Sequence, residues 1–552
     1  MKKLFFVLIL SLSAHMLWSQ STFIPYNRDY YHLIDRFQIR YSGGENIIQT
    51  SFKPIRRIEL ANFLETLKEE YQNMSPQDQF NYEFLMNDNW RYTGSEYNKN
   101  PKHWWNLAYE RKSDLFVYES GDSYVRINPA MTFTVGKETD SDKLLYTNTR
   151  GIEAQGAIDN KIGFYTLLTT SQSQFPGYVY DRAFPNGALA HEASWKKFGD
   201  TGVDYFHVRG YFTFNLTKSI DVQAGYDKQF IGNGLRSMIM SDFSSPFLFA
   251  KTNTRVGRLT YTNLFSQMTS DIIFNQGFPE EGNYPTKFFA MHRIGVDVNS
   301  RLTIGLSEYI VSQKSEIEYF NPIIFLRAVE LFQGSPANVL ISMDAKYDWN
   351  RKLRIYGQLI FDDFEIDALR SGDKGWEIKF GTQLGVEYFD AFDIQNLDLQ
   401  IETNISRPYF YAHEEPQMSY TNARNPLAHP MGSNFKEIIL AGRYQPLPKL
   451  FVQGKLIRTS YGEDRDDLNF GGNPLLDTDT RIGQTGIEIG QGVSTTNTYL
   501  ELTGSYMLLH NVFLDWKNVY RKKDSEIEAR SSNTFITMLS LRWNLPQREH
   551  EF

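Results

Sequence analysis

The sequence contains no cysteine. That excludes a lipoprotein anchor, a thiolate metal site and a disulfide framework together. Beyond the N-terminal leader it has no apolar run near the roughly 18 residues that a membrane helix needs. Basic charge is not in excess. Lys and Arg number 57 against 65 Asp and Glu, a net charge of −8, which argues against a nucleic-acid partner. A Gly-x-Ser-x-Gly elbow and a His-Glu-x-x-His helix are both missing. The 10 histidines are scattered. Glu414-Glu415 and Asp362-Asp363 are adjacent carboxylates. The second follows a strand pattern in which neighbours face opposite ways, so it cannot converge on one bond. The acidic run Gly462 to Asp467, with Asp477 and Asp479, does not match the helix-loop-helix calcium pattern and reads as a solvated charge run. We expect no enzyme, no cofactor and no metal site.

What is present points to export and a membrane. Lys2 and Lys3 precede the uncharged stretch Leu4 to Leu12, and small and polar residues follow from Ser13 to Gln20. This is the pattern of a secretory signal cut near Gln20. Aromatics make up 15% of the 552 residues, yet the mean hydropathy is −0.44. A transmembrane β-barrel reconciles these values, because only alternate residues face lipid and aromatic girdles edge the wall. The alternation is explicit. Phe206, Val208, Gly210, Phe212, Phe214 and Leu216 interleave with His207, Arg209, Tyr211, Thr213 and Asn215. Leu353 to Phe361, Leu397 to Thr403, Leu500 to Leu508 and Phe535 to Trp543 repeat the pattern. These runs are about ten residues long, enough for a tilted strand to cross the hydrocarbon. The expected fold is an all-β antiparallel transmembrane barrel of about 18 strands, within the even-numbered range of such barrels. Short turns fall at Lys218-Ser219, Asn299-Ser300, Asp348-Asn350, Pro446-Lys449 and His510-Asn511. Long loops fall near 171–203, 229–254, 312–338, 406–434 and 461–495.

Before the barrel the period changes. Leu60, Phe63, Leu64, Leu67 and Tyr71 share one helical face, and Ser75-Pro76 opens a second helix with Ser75 as its cap. The expected organisation is a signal over 1–20, a periplasmic segment with a helical hairpin over 21–110, and a barrel over 111–552 whose first strand begins near Ser113.

Several stretches carry a family resemblance. They are Tyr226 to Gly232 with Gly234, Ser237 and Asp242 to Pro246; Tyr319 to Pro322 with Arg327, Glu330, Gly334, Ser335 and Asn338; and Tyr30 to Arg36. With the signal, helical unit and barrel, they make the chain resemble the capsule-assembly Wzi family of outer-membrane proteins. The version it resembles is that of gliding Gram-negative bacteria, some of whose members are described as gliding-motility proteins. The resemblance implies a lectin-like surface protein that helps attach or assemble capsular or other exopolysaccharide. Its partners would be outer-membrane lipid and lipopolysaccharide, surface polysaccharide, and motility or adhesion proteins. Gliding or adhesion support and a diffusion channel stay open as alternatives.

Sugar binding calls for aromatic faces and planar polar groups, and the long loops hold both. The candidate glycan-binding residues are Tyr178, Tyr180, Arg182, Arg236, Asp242, Arg327, Asn338, Tyr409, Tyr411, Tyr420 and Arg424. The segment Gln229 to Pro246 is the ambiguous one. Gly232 and Gly234 follow a membrane strand and lack the Lys-Ser/Thr ending of a phosphate loop, so they read as a bend at the barrel rim. Folded inward, the segment is a plug; folded outward, it joins a sugar surface. Export from a Gram-negative host should leave a mature N-terminus within about two residues of Gln20, read by N-terminal sequencing. A membrane-inserted form that keeps Lys2-Lys3 would overturn the assignment.

Overall fold

The computed structural model describes residues 20–42, 48–94, 98–100, 109–139, 141–192, 195–199, 201–270, 285–315, 317–320, 326, 337–362, 375–466 and 468–552. Its strands close into an antiparallel barrel of 18 strands. In chain order these are β1 (Met131–Glu138), β2 (Leu144–Ile158), β3 (Ile162–Gln174), β4 (Gly202–Thr217), β5 (Ile220–Asp227) and β6 (Phe247–Val256). Then come β7 (Leu259–Thr269), β8 (Thr286–Asp297), β9 (Leu302–Ser312), β10 (Asn338–Asp348), β11 (Leu353–Asp362) and β12 (Lys379–Tyr388). The last six are β13 (Leu397–Ser406), β14 (Phe435–Leu447), β15 (Leu450–Glu463), β16 (Val493–Leu509), β17 (Val512–Ser525) and β18 (Ser532–Trp543). The ring closes where Met131 to Glu138 pair with Trp543 to Ile536. Closure removes the free edges that a lipid-facing sheet could not leave unpaired.

The alternation sorts side chains as expected. On β16 Leu500 and Leu502 are 50% and 49% exposed, while Glu501 between them is 1% exposed. The outward residues form an apolar wall and the inward ones a charged lumen. All five expected short turns lie on one rim. Two boundaries differ from expectation. Residues 247–256 are strand β6, because their inward positions pair with β5 and β7 where a loop was anticipated. The first barrel strand starts at Met131. Before it a hairpin, Phe116–Ser120 with Ser123–Pro129, extends the lower half of β2 instead of starting the wall.

Among the described residues the N-terminal unit holds three helices of ten residues or more, where a hairpin of two was expected. α1 (Arg28–Tyr41) is capped by Asn27, whose side chain accepts from the Asp29 and Tyr30 amides. α2 is Arg57–Thr66, and α3 (Pro76–Asp88) carries the expected Ser75 cap, 3.1 Å from the Asp78 amide. The unit packs Tyr31, Ile34, Phe37, Leu60, Leu64 and Leu85 together at the short-turn rim.

One arginine couples the unit to the wall. Arg36 on α1 donates to Asp78 of α3 at 2.8 and 2.9 Å, to Asp390 at 2.8 Å and to Asp398 of β13 at 2.7 Å. Arg36 is 2% exposed, so it bridges three carboxylates out of water, with Arg40 also 2.8 Å from Asp390 and His32 2.9 Å from Asp398. A second pair ties α2 to α3. Burial alone would raise the Asp88 carboxyl, but Arg57 at 2.8 Å holds it well below the ordinary 3.8. Its stabilisation is fully present above 3.8 and lost as pH falls toward its lower folded value. The variant Arg36→Ala leaves Asp78 without its cation and cuts the bridges to Asp390 and Asp398, which keep Arg40 and His32, a cost of about 3–5 kcal/mol to docking. Limited proteolysis should then release the helical unit while the barrel keeps its heat-modifiable gel migration. A unit as resistant as wild type would refute this.

Candidate functional site

An 18-stranded barrel is wide enough for an aqueous channel unless something fills it. Among the described residues, stretches of the same chain fill it: residues 228–246, residues 407–434 and the tail after Trp543, with the helix at 177–186 packed beside them.

Residues 228–246 turn inward, which settles the open direction of that segment. Inward side chains of the wall receive its backbone. Glu402 accepts from the amides of Leu235 at 2.7 Å and Arg236 at 3.1 Å. Gln358 accepts from the Met238 amide at 2.7 Å and donates to the Ile231 carbonyl at 2.8 Å. The glycines permit this approach. Gly232 has φ +134°, and a Cβ there would lie 2.3 Å from Gln358 Nε2. At Gly234 a Cβ would lie 2.4 Å from Glu402 Oε2. From below, the helical unit adds a two-residue ladder, Phe52 to Ile231 and Lys53 to Phe230.

Residues 407–434 lie against this segment. The Ser241 amide donates to the Leu427 carbonyl at 2.8 Å, and Asn422 Nδ2 donates to the Ser245 carbonyl at 3.0 Å. The candidate tyrosines are interior. Tyr409, Tyr411 and Tyr420 are each fully buried. Tyr409 donates to the Asn469 carbonyl at 2.9 Å, Tyr411 donates to the Met238 carbonyl, and the Tyr411 and Tyr420 rings stack at 5.6 Å.

The third stretch is the tail. Glu549 and Glu551 face Lys455 of β15 at 2.8 and 2.5 Å, and both face Arg28 of α1. Arg236 reaches Glu551 at 3.1 Å and Glu437 of β14 at 3.6 Å. This one cluster joins the helical unit, an inward loop, two wall strands and the tail. Burial alone would raise the Glu551 carboxyl, but Lys455, Arg28 and Arg236 hold it well below the usual carboxylate range.

The other candidates also belong to the interior. Tyr178, Tyr180 and Arg182 sit on a fourth helix, α4 (Gly177–Asn186), that lines the lumen. Tyr178 donates to the His550 carbonyl at 2.7 Å, Tyr180 accepts from the Phe175 amide at 2.9 Å, and Arg182 lies over Phe552 at 4.5 Å. The Asp242 carbonyl accepts from Lys228 at 2.8 Å. Asn338 donates to the Met418 carbonyl at 3.0 Å. Arg424 is buried beside Gly187. Arg327 lies outside the described residues, as does Asp363 of the carboxylate pair. The described candidates thus lie in the barrel interior, Asn338 at the start of wall strand β10 and the others on the segments inside the lumen, and the rings of Tyr409, Tyr411 and Tyr420 are buried in protein. Aromatic and planar polar residues suit sugar and a packed polar lumen equally, which is why composition placed them on the surface. What the sequence reading missed is the receiving set, Glu402, Gln358, Lys455 and Glu551, whose only signal is a charged or amide side chain at inward strand positions and in the tail.

Between these layers remains a cavity of about 250 Å³, lined by Arg28, His191, Glu192, Lys228, Arg236 and His550 among others. Burial pulls the Lys228 ammonium down to about 8. Burial would raise Glu192, but His207 at 2.8 Å and Arg548 hold it at about 2. Such a charged pocket suits water or a small polar guest. Among the described residues no group of His, Asp and Glu is arranged to hold a metal ion.

No family model and no curated protein matches the chain. Among solved structures it is similar to Wzi, described as an outer membrane protein involved in group 1 capsule assembly in Escherichia coli and a carbohydrate binding β-barrel. That alignment covers 95% of this chain and 100% of the other, at 13% identity and TM-score 0.59, and shows the shared fold. It is also similar to Pseudomonas aeruginosa OccK8 (OprE), over 77% of this chain and 99% of the other, at 10% identity and TM-score 0.43. A BenF-like porin from Pseudomonas fluorescens Pf-5 aligns over the same shares at 11% identity and TM-score 0.42.

The native absence of cysteine makes the plug easy to probe. A Ser237→Cys reporter should resist a membrane-impermeant thiol reagent, since Ser237 is fully buried. Adding Gly234→Val should expose it, because the new side chain collides with Glu402 at a cost of about 1–3 kcal/mol. Equal labelling of the two proteins would contradict the inward cradle.

Proposed function

We propose that this chain is a non-catalytic outer-membrane anchor that holds capsular or other exopolysaccharide at the cell surface. The observation that carries the reading is the filled lumen. Two inward loops, the tail and the helical unit occupy the space a diffusion channel would keep open. The fold likeness to Wzi, described as carbohydrate binding, supports the same direction. With the tyrosines committed to the plug, sugar contact falls to the outward surface of the loops. There Arg465, Asp466 and Asp479 have side chains 54%, 76% and 68% exposed. Carboxylates and guanidinium groups are suited to sugar hydroxyls.

Purified protein in planar bilayers should show no steady conductance, and replacing residues 407–434 with a short turn should open one. Steady conductance in the wild type would favour the channel. A deletion strain should shed polysaccharide that wild type retains, and Asp466→Ala with Asp479→Ala should weaken glycan binding roughly tenfold. Unchanged retention together with lost surface movement would transfer the assignment to motility.

A further inference from the structure

The outer surface of the wall carries a second feature, unrelated to the plug. On β14 to β18 the outward residues Leu440, Leu456, Leu500, Tyr520 and Phe535 stand in one row across five strands, paired by register. All are exposed, so this row belongs to the hydrocarbon-facing belt. One step toward the long-loop rim, the next outward row reads Ile438, Arg458, Thr498 and Lys522. A further step brings Lys436, Ser460, Thr496 and Asp524. Polar and basic groups thus replace apolar ones within two rows.

Lys436, Arg458 and Lys522 are all exposed. Arg458 and Lys522 flank Thr498, about 10 Å apart at two strand spacings. Lys436 sits diagonal to Arg458 on the neighbouring strand. Lys522 pairs with Asp524 at 2.9 Å. Among the described residues neither Lys436 nor Arg458 has an ion-pair partner. Three cations less one carboxylate leave this patch at +2. Like charges gathered on a lipid-facing surface repel one another and are partly desolvated, unless an anion lies between them. Their place supplies one: one and two rows beyond the apolar row, long cationic side chains can lay their stems along the belt and carry their heads to headgroup depth.

We infer that β14 to β17 form a binding site for a phosphate-bearing lipid headgroup of the outward-facing leaflet. Arg458 and Lys522 clamp the phosphate, Thr498 donates between them, Lys436 adds charge, and the row from Leu440 to Phe535 receives the acyl chains. The site is independent of the polysaccharide reading, since it faces lipid and leaves the loops free.

The test uses the full chain in phosphatidylcholine nanodiscs containing lipid A or its dephosphorylated form, with native mass spectrometry reading the retained lipid. Wild type should hold lipid A in preference to the dephosphorylated form. The triple variant Lys436→Gln, Arg458→Gln and Lys522→Gln should lose affinity on the order of a hundredfold. Replacing Lys218, Arg258 and Arg351 by Gln on the opposite rim should change nothing. Asp524→Asn, which raises the net charge, should strengthen retention and keeps the proposal testable if the triple variant fails to fold. Equal retention of both lipids by wild type, wild-type affinity in the triple variant, or an equal loss in the opposite-rim variant would overturn it. Weaker retention in Asp524→Asn would do the same.

Discussion

Closing eighteen antiparallel strands satisfies every wall backbone group without water, and it encloses a lumen wider than inward side chains alone can fill. The interior of this molecule answers that constraint. Backbone drawn into the lumen brings its own unpaired amides and carbonyls, and each must find a partner there. Glu402, Gln358 and Gln383 on the wall meet them, the last donating to the Arg236 carbonyl at 2.9 Å. The inward polar positions of the strands therefore act as a template for the loops. A porin needs the same positions to face water.

Charge follows the same logic. A buried ion pair adds little net stability over an apolar pair, yet losing one partner is costly. Arg36 with its three aspartates and Glu551 with its three cations both work in this way. Each fixes which segment lies where, because a misplaced segment would leave a charge buried alone. The helical unit is thus seated by charge pairing as much as by its apolar core.

The wall was legible in the sequence because alternation is local. Phe212 and Tyr211 face opposite sides whatever lies beyond their own strand. Direction was not legible for the loops. Whether Gln229 to Pro246 folds in or out depends on Gln358 and Glu402, more than a hundred residues away, and no local pattern links them. Tyr411 and Tyr420 show the same limit. An aromatic ring with a hydroxyl suits a pyranose or a packed core equally, and only the fold decides between them. The helix Arg28–Tyr41 was written in the spacing of Tyr30, Ile34, Phe37 and Tyr41, but that spacing does not show that its polar residues Arg36 and Gln38 also face buried partners, which lie hundreds of residues away or across the unit.

The plug's connectivity bears on what it can do. A gate needs one segment that moves while its neighbours stay. Here Arg236 lies in an inward loop yet shares Glu551 with Arg28 of the helical unit and Lys455 of the wall. The same loop is hydrogen-bonded to residues 407–434 and paired with Phe52-Lys53. Moving any one piece strands charges or backbone groups on the other pieces, so their displacements are energetically coupled. The interior then behaves as one body. A barrel filled by one body is suited to anchoring something at its outer face, and poorly suited to opening and closing a path through its centre.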